Sequence, residues 1–277
     1  MFSLFLLVLI SMIYTLKDFS LFNSNYRLEI GTLNPIWISR AVLEFFLIYY
    51  FFGKPDIKVM VLFGVVAVLI LYASGSKGPI VAFILTVFIY NLRSLSYRKK
   101  IMYLAIIIPI FASLYSYLAV IVENEFIRDR FFTLIPEGDP DSLIEVNRGI
   151  FIPFLLKVFF SSDIITLLFG GGLGNSGFFM YGSSFTFRYY PHNLFVEILL
   201  ELGLINLILL TTLLIYVIVS NRSLFVYLLI YFTINSMFSG DLILNEFIFL
   251  YLGFVLVDTR NNVVKRSITR PNLDLIQ

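Results

Sequence analysis

Long apolar runs, broken by short polar connectors, set the pattern of this chain. Eight such runs stand out: Phe2–Leu16, Pro35–Phe52, Ile57–Ser74, Gly78–Leu92, Ile101–Val122, Asn193–Val219, Leu224–Phe238 and Leu242–Val257. Most approach the roughly 20 residues a helix needs to cross a bilayer, and the first, fourth and seventh are short. They are apolar on every face, not alternating as the strands of a lipid-facing barrel would be. A backbone surrounded by lipid must satisfy its own hydrogen bonds, which leaves the helix as the expected element. The pattern predicts an all-α polytopic membrane protein of about eight transmembrane helices. The first run has no basic leader or small-residue cleavage site and is expected to be an uncleaved helix.

Composition agrees with that pattern. The 277 residues are 59% hydrophobic and 14% charged, with mean hydropathy +0.92. A soluble domain is nearer 45–50% apolar and about 25% charged. The absence of cysteine excludes disulfides, thiol catalysis and thiolate metal sites. Neither end carries a basic block of the kind that binds nucleic acid.

Charge on the connectors predicts the orientation. Lys54, Lys58, Arg93, Arg98, Lys99, Lys100 and Arg222 lie on one set of connectors, and Arg260, Lys265, Arg266 and Arg270 on the carboxyl tail. The opposite short connectors hold Lys17, Arg27 and Lys77. Basic connectors stay in the cytoplasm. Both termini are therefore expected inside, and the stretch 123–192 outside. The expected organisation is a single transmembrane domain, 1–257, that includes this extracytoplasmic loop, followed by a basic cytoplasmic tail, 258–277.

That loop is too long for a simple connector. Glu137 to Ser142 reads as a turn, with Asp141 or Ser142 as a helix cap. Asn147 to Phe160 is apolar nearly all round and shorter than a span, which predicts a helix at the membrane interface or dipping into the bundle. The glycine run Gly170 to Gly177 follows. Its Gly172-x-Gly174-x-x-Gly177 spelling matches a dinucleotide fingerprint, but the strand and βαβ unit that motif requires are missing. A hinge at which only glycine allows the backbone angles is expected, with close approach to a ligand slightly favoured over the hinge alone. The aromatics Phe178, Phe179, Tyr181, Phe185, Phe187, Tyr189 and Tyr190 suit anchoring at the headgroup level, and could also stack on sugar faces.

Charged residues near the membrane carry the candidate chemistry. Arg40 lies a few residues inside the second run. A functional charge and a structural one, snorkelling outward or paired with Glu44 at i+4, read equally well. Lys77 stands in the small-residue turn Ser74-Gly75-Ser76-Lys77-Gly78-Pro79, beside a helix start whose N–H groups favour anions. It suits a phosphate cradle or a solvated turn. Arg148 and Arg188 are the remaining loop cations of interest, with Lys157 a weaker candidate, whereas Arg128 and Arg130 alternate with acids as a solvated face.

Glu197 and Glu201 share a helical face. Such a pair can do acid–base work, although hydrogen bonding within the bundle is the stronger expectation. His192, the only histidine, precedes Asn193, a good N-cap residue. The helix dipole and Arg188 both disfavour an imidazolium there. A neutral imidazole is what a general base requires. The competing reading is a structural hydrogen bond at a helix start.

Taken in order, the turn Ser74 to Gly78, a long outer loop with Arg148, the cluster Gly170–Gly174, then Pro191-His192-Asn193-Leu194 and Glu201-Leu202-Gly203 resemble the bacterial O-antigen ligase and O-antigen polymerase superfamily. The resemblance covers roughly Pro35 to Val257. It implies a multi-pass enzyme of the bacterial cytoplasmic (inner) membrane with an extracytoplasmic active site. The implied reaction is an inverting, metal-independent glycosyl transfer from an undecaprenyl-pyrophosphate-linked oligosaccharide to an acceptor glycan. Membrane lipid and other polysaccharide-assembly proteins are the remaining implied partners, and no cofactor or metal is implied. The family's histidine falls on His192 and its loop arginine on Arg148. Lys77 stands where the family has an arginine, which keeps the charge but loses the bidentate fork. Arg40 and Arg188 are further expected phosphate ligands, with Asn193 and Glu201 in support. Repeat-unit polymerisation is the leading activity, ligation to a lipid core or other acceptor is second, and a non-enzymatic flippase or transporter is the rival from another class.

Overall fold

The structure is a computed structural model, and it describes residues 10, 13, 35–53, 56–96, 148–181, 191–238, 242 and 245–269. The described residues are helical, with no strand among them. The helices are α1 (Pro35–Phe52), α2 (Ile57–Ser74), α3 (Lys77–Ser94), α4 (Arg148–Phe160), α5 (Ile164–Phe169), α6 (Ser176–Tyr181), α7 (Leu194–Ser220), α8 (Phe225–Asn235) and α9 (Glu246–Thr269). Three of them, α1, α2 and α7, are long and apolar enough to cross a membrane. A helical membrane protein is the fold these helices support. Apart from Ile10 and Ile13, the expected spans Phe2–Leu16 and Ile101–Val122 lie outside the described residues, as does the 137–142 turn.

The chain forms two compact units, Met1–Pro153 and Phe154–Gln277. In the first, α1 packs against both α2 and α3. Its core joins Ile38, Val42 and Phe45 to Ala67, Ile70 and Ala73. The small residues of α2 let α1 approach closely, the packing device of helices in lipid. Rings brace the same contacts: Phe45 meets Phe63 edge-on at 5.4 Å, and Phe46 meets Phe83 at 5.5 Å. Helix α2 opens on Asp56, which accepts the N–H of Lys58, and closes on left-handed Gly75, whose N–H returns to the carbonyls of Leu71 and Tyr72.

In the second unit α7 is the organiser, with α5, α6, α8 and α9 all packing on it. Phe232 of α8 stacks on Phe247 at 5.0 Å and on Tyr251 at 5.4 Å. These offset ring pairs tie α8 to α9. Helix α9 continues to Thr269, past Val257 where the apolar run stops. Backbone bonding needs no apolar side chain, and Thr259 bonds both the carbonyl of Val255 and the side chain of Asn221 at the end of α7.

Helix α7 is broken. Gly203 has φ 80° and ψ 179°, so Leu194–Leu202 and the run after Gly203 are two helical pieces. The run Asn193–Val219 was expected to form one helix. A lone glycine in an apolar stretch does not by itself announce a break. What forces it is tertiary: the backbone of Leu168 and Gly170 lies against Gly203, and a Cβ there would come within 2.3 Å of the Leu168 carbonyl oxygen.

Candidate functional site

The entrance of α7 holds the chain's histidine. Asn193 is extended, at φ −146° and ψ 113°, and its Oδ1 accepts the N–H groups of Phe195 and Val196 at 3.0 and 3.2 Å. This is the N-cap geometry expected of asparagine. The cap's Nδ2 donates to the carbonyl of Met237 at 3.1 Å, and the N–H of Leu194 donates to the carbonyl of Ser236 at 2.9 Å. The carboxyl end of α8 thus holds the first turn of α7. One turn on, Glu197 is fully buried and accepts the N–H of Leu242 at 2.8 Å.

His192 precedes this cap in the left-handed region, at φ 53°. It is the one non-glycine with positive φ among the described residues. Histidine enters this region more readily than most residues, yet the conformation persists because the chain on its carboxyl side is bonded to α8 and Pro191 before it is buried. The residue is half-buried, with Nδ1 shielded from solvent.

Around this entrance the structure gathers polar groups that the sequence reading passed over. Asn235, Ser236 and Asn245 are buried, on the last turn of α8 and just before α9. Asn235 donates to the carbonyl of Tyr231 and Ser236 to that of Thr233. The available signal was their polarity at the ends of apolar runs.

Glu201 sits two turns into α7, 1% exposed. It accepts the N–H of Gly174 on Oε2 at 2.8 Å and that of Ser176 on Oε1 at 3.4 Å. Gly171 and Gly172 donate their N–H groups to the carbonyls of Leu200 and Glu201, at 2.8 and 3.0 Å. Glu197 and Glu201 share a helix face as expected, but each bonds a different segment of backbone. Hydrogen bonding inside the bundle is what these contacts provide.

The glycine run is therefore a clasp on α7. Gly170, Gly172 and Gly174 do adopt positive φ, which glycine alone accepts without strain. Close approach is real too, but it is to α7: a Cβ on Gly170 would come within 2.3 Å of the Glu201 backbone. The N–H groups of Gly171, Gly172, Gly174 and Ser176, which an anion would have used, point at α7 instead.

Before the clasp, Asp163 caps α5. It accepts the N–H groups of Ile165 and Thr166 and the Thr166 hydroxyl, the last at 2.7 Å. The Thr166 hydroxyl and backbone bonds hold this exposed carboxyl below its ordinary value.

Three further candidates, Lys77, Arg40 and Arg148, fall in the first unit. Lys77 is exposed and is the first residue of α3. Its N-cap Ser76 makes no side-chain capping bond. The hydroxyls of this turn point into the bundle: Ser39 and Ser74 share a 2.6 Å hydrogen bond across α1 and α2, and Ser74 also donates to the carbonyl of Leu71. Arg40 is buried, at 3% exposure, with Glu44 one turn away at 4%. The Arg40 guanidinium lies 5.4 Å from the Trp37 ring centre, a cation–π arrangement. Arg148 begins α4. Arg188 lies outside the described residues, with Phe185, Phe187, Tyr189 and Tyr190. Among the described residues no three His, Asp or Glu side chains gather to hold a metal.

No family model, curated protein or solved structure matches this chain.

Proposed function

We propose that the protein is a polysaccharide repeat-unit polymerase. It would transfer glycan from an undecaprenyl-pyrophosphate donor to an acceptor sugar hydroxyl at the outer face of a bacterial cytoplasmic membrane, with His192 as general base. The observation that carries this reading is the left-handed His192 at the bonded entrance of α7, on its short buried first piece. A strained, immobilised titratable residue at such a boundary suits proton transfer in a fixed geometry.

Chemically, the acceptor hydroxyl oxygen attacks the anomeric carbon and loses its proton to the imidazole. The bond from that carbon to the pyrophosphate oxygen breaks, and lipid pyrophosphate leaves with the electron pair. Cations that neutralise the departing phosphates lower the barrier most in the transition state. The residues assigned to this are Lys77, Arg148 and Arg188, with Arg40 buried inside its own unit as the least suited.

The transporter reading has one observation in its favour, the broken α7, since carriers use discontinuous helices. Depth argues the other way. The piece after Gly203 runs to Ser220, which at 1.5 Å per residue is about 25 Å of a hydrocarbon core about 30 Å thick. With its amino end outward, as the connector charges imply, the break would fall near the outer boundary and away from the midplane.

Purified protein given lipid-linked repeat units separates these readings. Longer glycan with released lipid pyrophosphate supports the polymerase. Glycan joined only to an added lipid-core acceptor supports ligation. Movement of unchanged donor across vesicles supports a carrier. His192→Ala is expected to lower transfer by at least about 100-fold without loss of folded protein, and retained transfer overturns the base assignment.

A further inference from the structure

We infer that Glu197 and Glu201 are positioning residues that clamp Leu194–Leu202 at two levels into a fixed strut carrying His192, and that the break at Gly203 separates this strut from the lipid-length run beyond it. The inference deepens the polymerase reading, since it concerns the same histidine, but its test needs no substrate.

Burial differs across the break. Leu194, Glu197, Ile198, Leu199, Leu200 and Glu201 are buried in protein, whereas the second piece is mostly exposed, with Leu209 at 62% and Val219 at 69%, and buries one face through Leu214 and Val217. An unbroken helix would transmit every tilt of its lipid-facing part to its amino end. Gly203 leaves the helical angles, so the two pieces meet at a joint. The short piece then needs its own supports, and it has them at both ends. At the His192 end stand the bonds from Leu194 and Asn193 to the end of α8, with Glu197 holding Leu242. At the Gly203 end the clasp attaches through two carbonyls and both oxygens of Glu201.

The chemistry of the two acids differs. Glu201 receives one N–H on each oxygen, and a glutamine supplies one acceptor and turns a donor toward the other N–H. Glu197 accepts the Leu242 N–H on Oε2. The glycine contacts add an independent handle: side chains at Gly170 and Gly203 collide with backbone, whereas the exposed Leu173 at the clasp's tip can be shortened without touching either clamp.

The single histidine supplies the readout. Protein labelled only in histidine gives one set of imidazole resonances, assigned without further work, and backbone hydrogen exchange reports the strut. Glu201→Ala is expected to shift or broaden the imidazole signal and to raise exchange across 192–200 by about tenfold or more. Glu201→Gln is expected to fall between, and Leu173→Ala to match the parent. If Glu201→Ala does not fold, Glu201→Gln and Glu197→Ala carry the test. Increased exchange confined to 171–176 with an unmoved imidazole signal overturns the strut, as does no change at either place. If the strut result holds while the parent protein elongates no glycan, the polymerase reading fails and the positioning inference stands.

Discussion

Two helix entrances in this protein carry its most chemical residues, and they are built in opposite ways. At the entrance of α7, Asn193 caps two N–H groups, reaches Met237 with its amide, and leaves His192 in a strained conformation that its neighbours hold. At the entrance of α3, Ser76 forms no cap bond, the hydroxyls of Ser39 and Ser74 turn inward, and Lys77 projects to the exterior. On the proposed function the difference would suit two tasks. A base must meet one proton at one distance, which a fixed backbone serves. A cation that meets a phosphate acts through charge and tolerates a range of poses, which a flexible lysine stem supplies.

That contrast can be broken by substitution. The largest effect within this contrast is expected at Lys77: on the proposed function, Lys77→Ala should lower glycan transfer about 100-fold, well beyond any change in the thermal midpoint in detergent. Lys77→Arg should restore most of the rate. A fall in stability with activity intact would show instead that Lys77 belongs to the scaffold. At the other entrance, Asn193→Ala should cost about 1 kcal/mol through loss of the cap, read as a lower thermal midpoint, with Asn193→Asp falling between, since it keeps the cap but loses the donor to the Met237 carbonyl. Ser76→Ala should change stability by less than about 0.5 kcal/mol, because no capping bond is there to lose. Equal losses from Asn193→Ala and Ser76→Ala would erase the distinction between the entrances.

The smallest effect concerns pH. Asp163 has its folded-state carboxyl held below the ordinary value by the Thr166 hydroxyl and backbone bonds. A depressed acid contributes stability that is present above its unfolded value, about 4. The contribution is lost as pH falls through the lower folded value. Protection of the α5 amides, taken relative to the unstructured rate at each pH, should therefore be flat above about pH 4 and fall below it, and Asp163→Asn should remove that acid limb. A flat profile in both proteins would mean that the cap does not control α5.

Much of this was legible along the chain. The bounds of α1 and α2 fall where the apolar runs Pro35–Phe52 and Ile57–Ser74 begin and end, and for α2 Asp56 and Gly75 are strong local signals for the start and the stop. Asn193 read as a cap and serves as one. The short helix after Asn147 and the left-handed glycines were also expected from local rules. Gly203 was not legible as a break, nor the run Gly170 to Gly174 as its clasp, because each makes the other necessary. Only when the loop lies on α7 does a Cβ at either place collide with backbone. Asn235 and Asn245 escaped notice for the same reason, since burial is a property of neighbours distant in sequence.

Unaided, the order of residues determined that the chain builds apolar helices of membrane length and where several of them start, since periodicity, caps and turn residues act over a few positions. Tertiary structure decided that one such helix is cut at Gly203, that Glu197 and Glu201 hold separate backbone segments, and that His192 is strained. Those outcomes depend on which backbone N–H groups from remote segments come within reach of α7. Partners drawn from far along the chain leave no trace in its local pattern.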